Sequence, residues 1–355
     1  MDLFFNQNPR FTKWLVRSGA LREPFVVIDV GVQGGAHPRW HLLGDYLIFH
    51  GFDAIKEVVE ELTRRNSKVS NKTFHWLAIG NEDGEREFYF NPGNPTNSSF
   101  YQFYFQAAGP AQARKVPVRK LDTLLRDGVV PSADFLKVDV EGFEAQVFQG
   151  ATEMLANGVL GVEAETNFFT SGTCPDSHFA LVQAALLRSG LVLFDLGFTR
   201  VPRASYGKAR QARGMSAPPA HGSGKATIFD VLFCRDLTAE RDGSLYYKQP
   251  LPPPTVDQIL KTIVIYELHG LNDIAFDTAA KFSAELGHRV DVERALDLLC
   301  QHAGTPSEDP AILRQQLHSI QASTSWRITG PLRALANILK KRRSGASASA
   351  KPGIG

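Results

Sequence analysis

Lys137, Asp139 and Glu141 fall at alternate positions of the stretch DFLKVDVEGFEAQVFQGA, residues 134–151. Side chains two apart on a strand share a face, so a strand over 134–140 sends all three the same way. Charges are costly to bury unless paired. Carboxylates at a strand end are suited to taking or giving a proton, and Lys137, two residues deeper, can pair with Asp139 or with Glu163. The alternative is an ion-pair cluster, or a helix cap at Glu141.

A second group lies near the N-terminus. In VVIDVGVQGG, residues 26–35, Asp29 is followed by Gly31, Gly34 and Gly35. Glycines directly after a strand permit a tight turn and close approach of a ligand to the backbone. The GxGxxG spacing of a dinucleotide site and the GK[ST] of a phosphate loop are both missing, which disfavours a pyrophosphate. Asp53 ends the next strand, about 20 residues on, where a carboxylate can accept hydrogen bonds from a ribose. It could equally cap the helix that follows. Asp29, the glycine turn and Asp53 together describe a nucleoside without a pyrophosphate, as in S-adenosyl-L-methionine.

The elements that must hold these residues alternate. Strand-like runs at 25–30, 46–53, 73–80, 134–140, 159–165 and 191–196 are interleaved with helix-like segments at 54–65, 120–128, 144–157 and 177–190. Residues 85–90 read as a short half-exposed strand and 91–99 as a loop. Such alternation predicts a mostly parallel sheet covered on both faces. The strand at 226–235 follows its predecessor with no helix between, so it is expected to pair antiparallel. The intervening 197–226 carries six Lys/Arg and no acid; it reads as an insertion or a substrate-covering loop. The predicted organisation is an N-terminal helical extension over 1–24, an α/β domain over 25–236, a linker over 237–255, a helical module over 256–305 and a tail over 306–355.

Four stretches carry a family resemblance: VIDVG (27–31), GFDA (51–54), VRKLDTLL (118–125) and DFLKVDVEGFEAQVFQGA (134–151). Their order and spacing over residues 25–235 resemble a class I S-adenosyl-L-methionine-dependent methyltransferase of the FkbM family. Two departures stand out. The family's Asn–Ile–Gly–aromatic run is replaced by VQGGAHPRW, and its Glu–Pro after the second strand is Asp53–Ala54, which preserves the acid. The resemblance implies a Rossmann-like, seven-stranded sheet with its last strand antiparallel. It implies that Asp29, Gly31, Gln33 and Gly34 line the methionine end, that Asp53 takes the ribose, and that Ala78 and Ile79 flank the adenine. It also implies O-methylation of hydroxyls on sugars or other secondary metabolites, with Asp139 and Glu141 orienting and deprotonating the acceptor. Glu165 and Glu163 are second choices, and His178 is a third. These carboxylates could hold a divalent metal, but no metal-ligand spacing calls for an ion. A catalytically inactive module that binds a glycan or a protein partner is the alternative.

Composition agrees with an ordinary soluble domain: 43% hydrophobic and 21% charged residues, with a formal net charge of +2. The charge is uneven. No acid follows Asp309, whereas eight Lys/Arg do, leaving about −6 on residues 1–309. An acidic body and the absence of a DNA-methyltransferase Asn/Asp-Pro-Pro-Tyr motif argue against nucleic acid. Three scattered cysteines with no CxxC fit a reducing compartment. No secretion signal or membrane-spanning run is found, so a cytoplasmic body is expected. Within the tail, residues 323–343 combine Trp326, Leu332, Leu335 and Leu339 with six basic residues. They read as an amphipathic helix able to contact the inner face of the cytoplasmic membrane, or a partner. The tail also resembles those of bacterial polysaccharide-assembly enzymes, which implies a cell-surface glycan or its lipid-linked precursor as acceptor.

Overall fold

All six residues of Phe25–Val30 are buried. A run of β-branched and aromatic side chains without alternation suits a parallel strand covered on both faces, and this strand, β1, is central. The computed structural model describes residues 6–102, 111–168, 175–201, 204–215, 225–238 and 253–301. Its further strands are β2 (Leu47–Asp53), β3 (Lys72–Trp76), β4 (Ala78–Ile79), β5 (Gly84–Phe90), β6 (Gln112–Arg119), β7 (Phe135–Val138), β8 (Gly161–Asn167), β9 (Val192–Val201) and β10 (Lys225–Cys234). Seven of them form one sheet in the order β3-β2-β1-β7-β8-β10-β9. Strand β10 alone runs against the others, pairing antiparallel with β8 and with β9. Strands β4, β6 and β5 form a small second sheet.

The helices are α1 (Arg10–Ser18), α2 (Lys56–Arg65), α3 (Leu121–Arg126), α4 (Glu144–Gln149), α5 (Thr152–Asn157), α6 (Phe179–Arg188), α7 (Ala204–Gln211), α8 (Val256–Leu268), α9 (Asn272–Lys281), α10 (Ser283–Leu286) and α11 (Val292–Cys300), and most of them cover the two faces of the large sheet. Phe25, Val27 and Phe135 pack with Trp40 of a 3-10 segment (Pro38–Tyr46) and with residues of α1, α8, α9 and α11. Ile28, Val30, Leu136 and Val138 pack on the other face with α3, α4, α5 and α6.

The helices of 256–300 share a core with the sheet, and both belong to one compact unit, Met1–Gln301. Polar contacts tie them in. Lys261 Nζ lies 3.0 Å from both carboxylate oxygens of Asp134, which also accepts from Val26 N at 2.7 Å. Buried Glu267 accepts from Phe11 N at 2.8 Å and Thr12 N at 2.7 Å, placing an anion at the start of α1, where free backbone donors and the helix dipole favour it.

Three local expectations are corrected. The run 73–80 is not one strand: β3 ends at Trp76, opposite Asp53, and after Leu77 the chain joins the small sheet as β4, opposite Val118. Helix 144–157 is split around Gly150 and Ala151. A Cβ on Gly150 would lie 1.9 Å from the carbonyl oxygen of Gly80. Asp122 caps the second piece, accepting from Glu153 N at 3.0 Å and Met154 N at 2.9 Å. Between β9 and β10 the chain forms α7, where no helix is expected. The stretch 323–343 lies outside the described residues.

Candidate active site

The carboxyl ends of β1, β2 and β7 are stitched together by backbone bonds. Gly31 N and Val32 N donate to the Phe52 carbonyl at 2.9 and 3.1 Å, and Asp139 N donates to the Val30 carbonyl at 2.9 Å. Gly31 adopts φ +86, and a Cβ there would lie 1.8 Å from the Asp139 carbonyl oxygen. Only glycine fits. Beyond this junction opens a cleft, the expected ligand position on such a sheet.

Of the sequence-predicted residues, Gly31, Gln33, Asp53, Ala78, Ile79, Asp139 and Glu141 line the cleft. Asp29 is buried in β1 at 4% exposure and is not part of that lining; Gly34, at φ +91, belongs to the turn beside it. Glu165 stands on β8, with a carboxylate oxygen within 4.8 Å of those of Asp139 and Glu141. His178 is the N-cap of α6, its Nδ1 accepting from Ala180 N at 3.2 Å. Sequence reasoning missed Phe88, Ser98 and Phe100, which line the cleft from the β5 side. Strand β6, which brings β5 into place, also went unrecognised.

Each end of the cleft has its own chemistry. At the β2 end, Asp53 is buried, and its Oδ1 accepts from Ile55 N at 2.8 Å. Burial outweighs that bond and pushes the carboxyl up to about 6. Beside it Phe52, Leu77, Ala78, Ile79 and Phe88 make an apolar slot. At the β7 end, Lys137 Nζ lies 3.1 Å from Asp139 Oδ2, as the two-residue spacing requires. Glu141 holds φ +55, a conformation rare for a residue with a side chain and one that must be enforced by its surroundings. Ser99 Oγ donates to the Glu141 carbonyl at 2.7 Å. Glu144 Oε1 accepts from Val140 N at 3.1 Å and Gly142 N at 3.2 Å. Burial pushes Glu144 up to about 7. Burial and the charges of Asp139 and Glu141 push Glu165 up to about 10. Carboxyl groups with proton affinities spread this far can divide donor and acceptor roles.

The donor set fits the cofactor implied by the sequence. An apolar slot beside a carboxylate that lines the cleft suits an adenine and a ribose. Among the described lining residues Lys137 is the one cation, and it is already engaged by carboxylates. That suits a nucleoside better than a pyrophosphate.

Seven strands in this order, parallel but for β10, with helices on both faces and a cleft at the carboxyl ends, define a class I methyltransferase fold. Residues 36–183 match the family model described as the methyltransferase FkbM domain, which supports methyl transfer as the general activity. No curated protein matches the chain. Among solved structures, the chain is similar to a methyltransferase FkbM from Methylobacillus flagellatus KT, at 14% identity and TM-score 0.33. The match covers 62% of this chain and 47% of that one, so less than half of that protein is represented. It is also similar to a putative sarcosine dimethylglycine methyltransferase from Galdieria sulphuraria (12% identity, 63% and 83% covered, TM-score 0.32). A third is a magnesium protoporphyrin IX methyltransferase from Synechocystis PCC 6803 with bound SAM (11%, 63% and 76%, 0.29). No described helix is long and apolar enough to cross a membrane.

Proposed function

We propose that the protein is an S-adenosyl-L-methionine-dependent O-methyltransferase acting on a sugar hydroxyl of a cell-surface glycan or its lipid-linked precursor. The observation that carries this reading is one cleft with a ribose-type carboxylate, Asp53, at one end and the acids Asp139 and Glu141 at the other, with Glu165 close beside them. When bound, the cofactor supplies an electrophilic methyl carbon on a sulfonium.

The chain's own residues do the rest. Asp53 accepts hydrogen bonds from the ribose hydroxyls, and Ala78 and Ile79 flank the adenine. Gly31 and Gln33 line the methionine end, with Gly34 shaping the turn and Asp29 behind it. Asp139 and Glu141 orient the acceptor hydroxyl and take its proton, which in-line transfer at near-attack distance requires. Glu165 stands beside them, and His178, whose ring caps α6, is the third candidate. A basic amphipathic segment at 323–343 would bring the enzyme to the membrane surface, where lipid-linked acceptors are made; this rests on sequence alone.

Titration calorimetry with S-adenosyl-L-methionine, followed by transfer of a labelled methyl group to a surface-polysaccharide fraction, tests the reading. Micromolar binding and label released by mild glycan hydrolysis are expected. No heat at high micromolar cofactor would end it.

A further inference from the structure

Three neighbouring strands place Asp29, Lys137 and Glu163 side by side. Lys137 is the register partner of Asp29 on β1 and of Glu163 on β8. Residues directly opposite in a ladder point to the same face, and Asp139 follows two positions later on that face. One ammonium therefore meets three carboxyl groups. Its Nζ lies 3.1 Å from Asp139 Oδ2 and 3.9 Å from Asp29 Oδ1.

The other charges in this cluster decide which partner Lys137 keeps. Glu163 is answered from the far side. Arg39, 2% exposed and carried by the 3-10 segment, places Nη1 3.0 Å from Glu163 Oε2. His269, buried at the end of α8, faces the same oxygen with Nε2 at 3.5 Å. Burial would raise Glu163, but His269 and Arg39 outweigh it and hold the carboxyl at about 2. Asp29 is the weaker competitor: burial pushes it up to about 7, and its Oδ1 has no hydrogen-bond partner. Asp139 is left as the partner at contact distance.

We propose that Lys137 is the positioning residue of the site, holding the Asp139 carboxylate at the cleft, while Arg39 engages Glu163 so that Lys137 is not drawn away. The functional half of this inference rests on the reading that Asp139 handles the acceptor's proton. Placing the reacting carboxylate matters because a misplacement of about 1 Å can lower a rate by roughly a hundredfold. Arginine suits the supporting position, since its fork binds a carboxylate while remaining charged when buried. His269 is the C-cap of α8, beyond the residues that match the family model. Burial pushes the His269 imidazole down from its usual range, toward the neutral form, so the C-terminal helices contribute a polar contact behind the cleft while Arg39 supplies the charge opposite Glu163.

The test uses the full chain and two readouts. With nitrogen-labelled lysine side chains, a slowly exchanging ammonium signal is expected for Lys137 near neutral pH, and Asp139→Asn should broaden or shift it. This readout needs neither cofactor nor acceptor and does not depend on a Lys137 variant folding. In turnover, Lys137→Met should lower kcat about tenfold or more. It should also move the acid limb of the pH profile upward, because a positive charge favouring ionised carboxyls is gone. Cofactor affinity should stay within about threefold, and Lys137→Arg should restore much of the profile, since it keeps the charge. An ammonium signal indifferent to Asp139→Asn overturns the inference, as does a Lys137→Met enzyme with the parent's rate and pH profile. A chain that shows the Asp139-dependent signal yet transfers no methyl group removes the proposed function and leaves the positioning pair standing.

Discussion

A Cβ added to Gly31 would sit 1.8 Å from the carbonyl oxygen of Asp139, so the first strand's turn and the fourth core strand's end touch through their backbones. That contact fixes how far Asp139 can lie from the cofactor turn. Gly31→Ala forces either strand away and also strains a backbone at φ +86. A loss of about 3 kcal/mol or more is expected from such a combination. Gly34→Ala is the control. Its φ is +91, but nothing lies within 4 Å of its added Cβ, so only backbone strain of about 1 kcal/mol applies. Urea midpoints for the two variants check the difference; equal losses would mean that the contact with Asp139 carries no weight.

His50 and His75 form a second pair whose behaviour follows from burial. His50 Nδ1 lies 3.1 Å from His75 Nε2, and His75 stacks on Phe52 with ring centroids 4.5 Å apart. Burial, helped by the neighbouring His50, lowers His75 from 6.5 to about 4. Between those values the folded chain binds fewer protons at His75 than the unfolded chain does, so stability falls as pH drops through that window. His75→Gln removes this dependence. The urea midpoint at about pH 5 should therefore rise relative to that at about pH 7.5 in the variant, compared with the parent. The comparison between proteins isolates the imidazole, because raised carboxyls such as Asp29 and Asp53 act in the opposite direction in both. Parallel losses would show that folding does not shift the titration of this imidazole.

What the sequence makes legible is local. The run of Phe25–Val30, apolar but for Asp29, Asp53 ending the next run, and the alternation of Lys137 and Asp139 all appear in the structure where the sequence pattern puts them. Less visible is whatever depends on contacts between distant segments. Strand β6, QARKVPVR, carries Pro117 and alternating charge, and it earns its strand geometry from pairing with β5. The break after Gln149 depends on Gly80 pressing against Gly150, and nothing in the helical spacing of 144–157 signals that contact. Arg39 and His269 lie 230 positions apart in sequence and meet only at Glu163. The helices of 256–300 read as a separate module because amphipathic spacing does not say which core a helix will join. Their acids and Lys261 find partners in α1, in Arg22 and in Asp134.

Asp53 gives the sharpest functional prediction, because its protonation and its proposed task conflict. Ribose hydroxyls donate hydrogen bonds, so they favour the ionised carboxylate, whereas burial keeps the proton on up to about pH 6. Below that pH, binding must first expel the proton, and cofactor affinity should fall by about tenfold per pH unit. Above it, affinity should be level. Asp53→Asn is the discriminating variant, since the amide oxygen can still accept from Ile55 N, as Asp53 Oδ1 does at 2.8 Å, and the turn before α2 survives. Losing the charge from hydrogen bonds worth about 1.5–3 kcal/mol each should weaken binding by roughly tenfold or more at neutral pH. It should also flatten the acid dependence. Asp29 titrates nearby, at about 7, but it is common to both proteins, so the difference between their curves belongs to Asp53. Calorimetric titrations with S-adenosyl-L-methionine from about pH 5 to about pH 8 span the window; parallel curves for parent and variant would move the ribose away from this carboxylate.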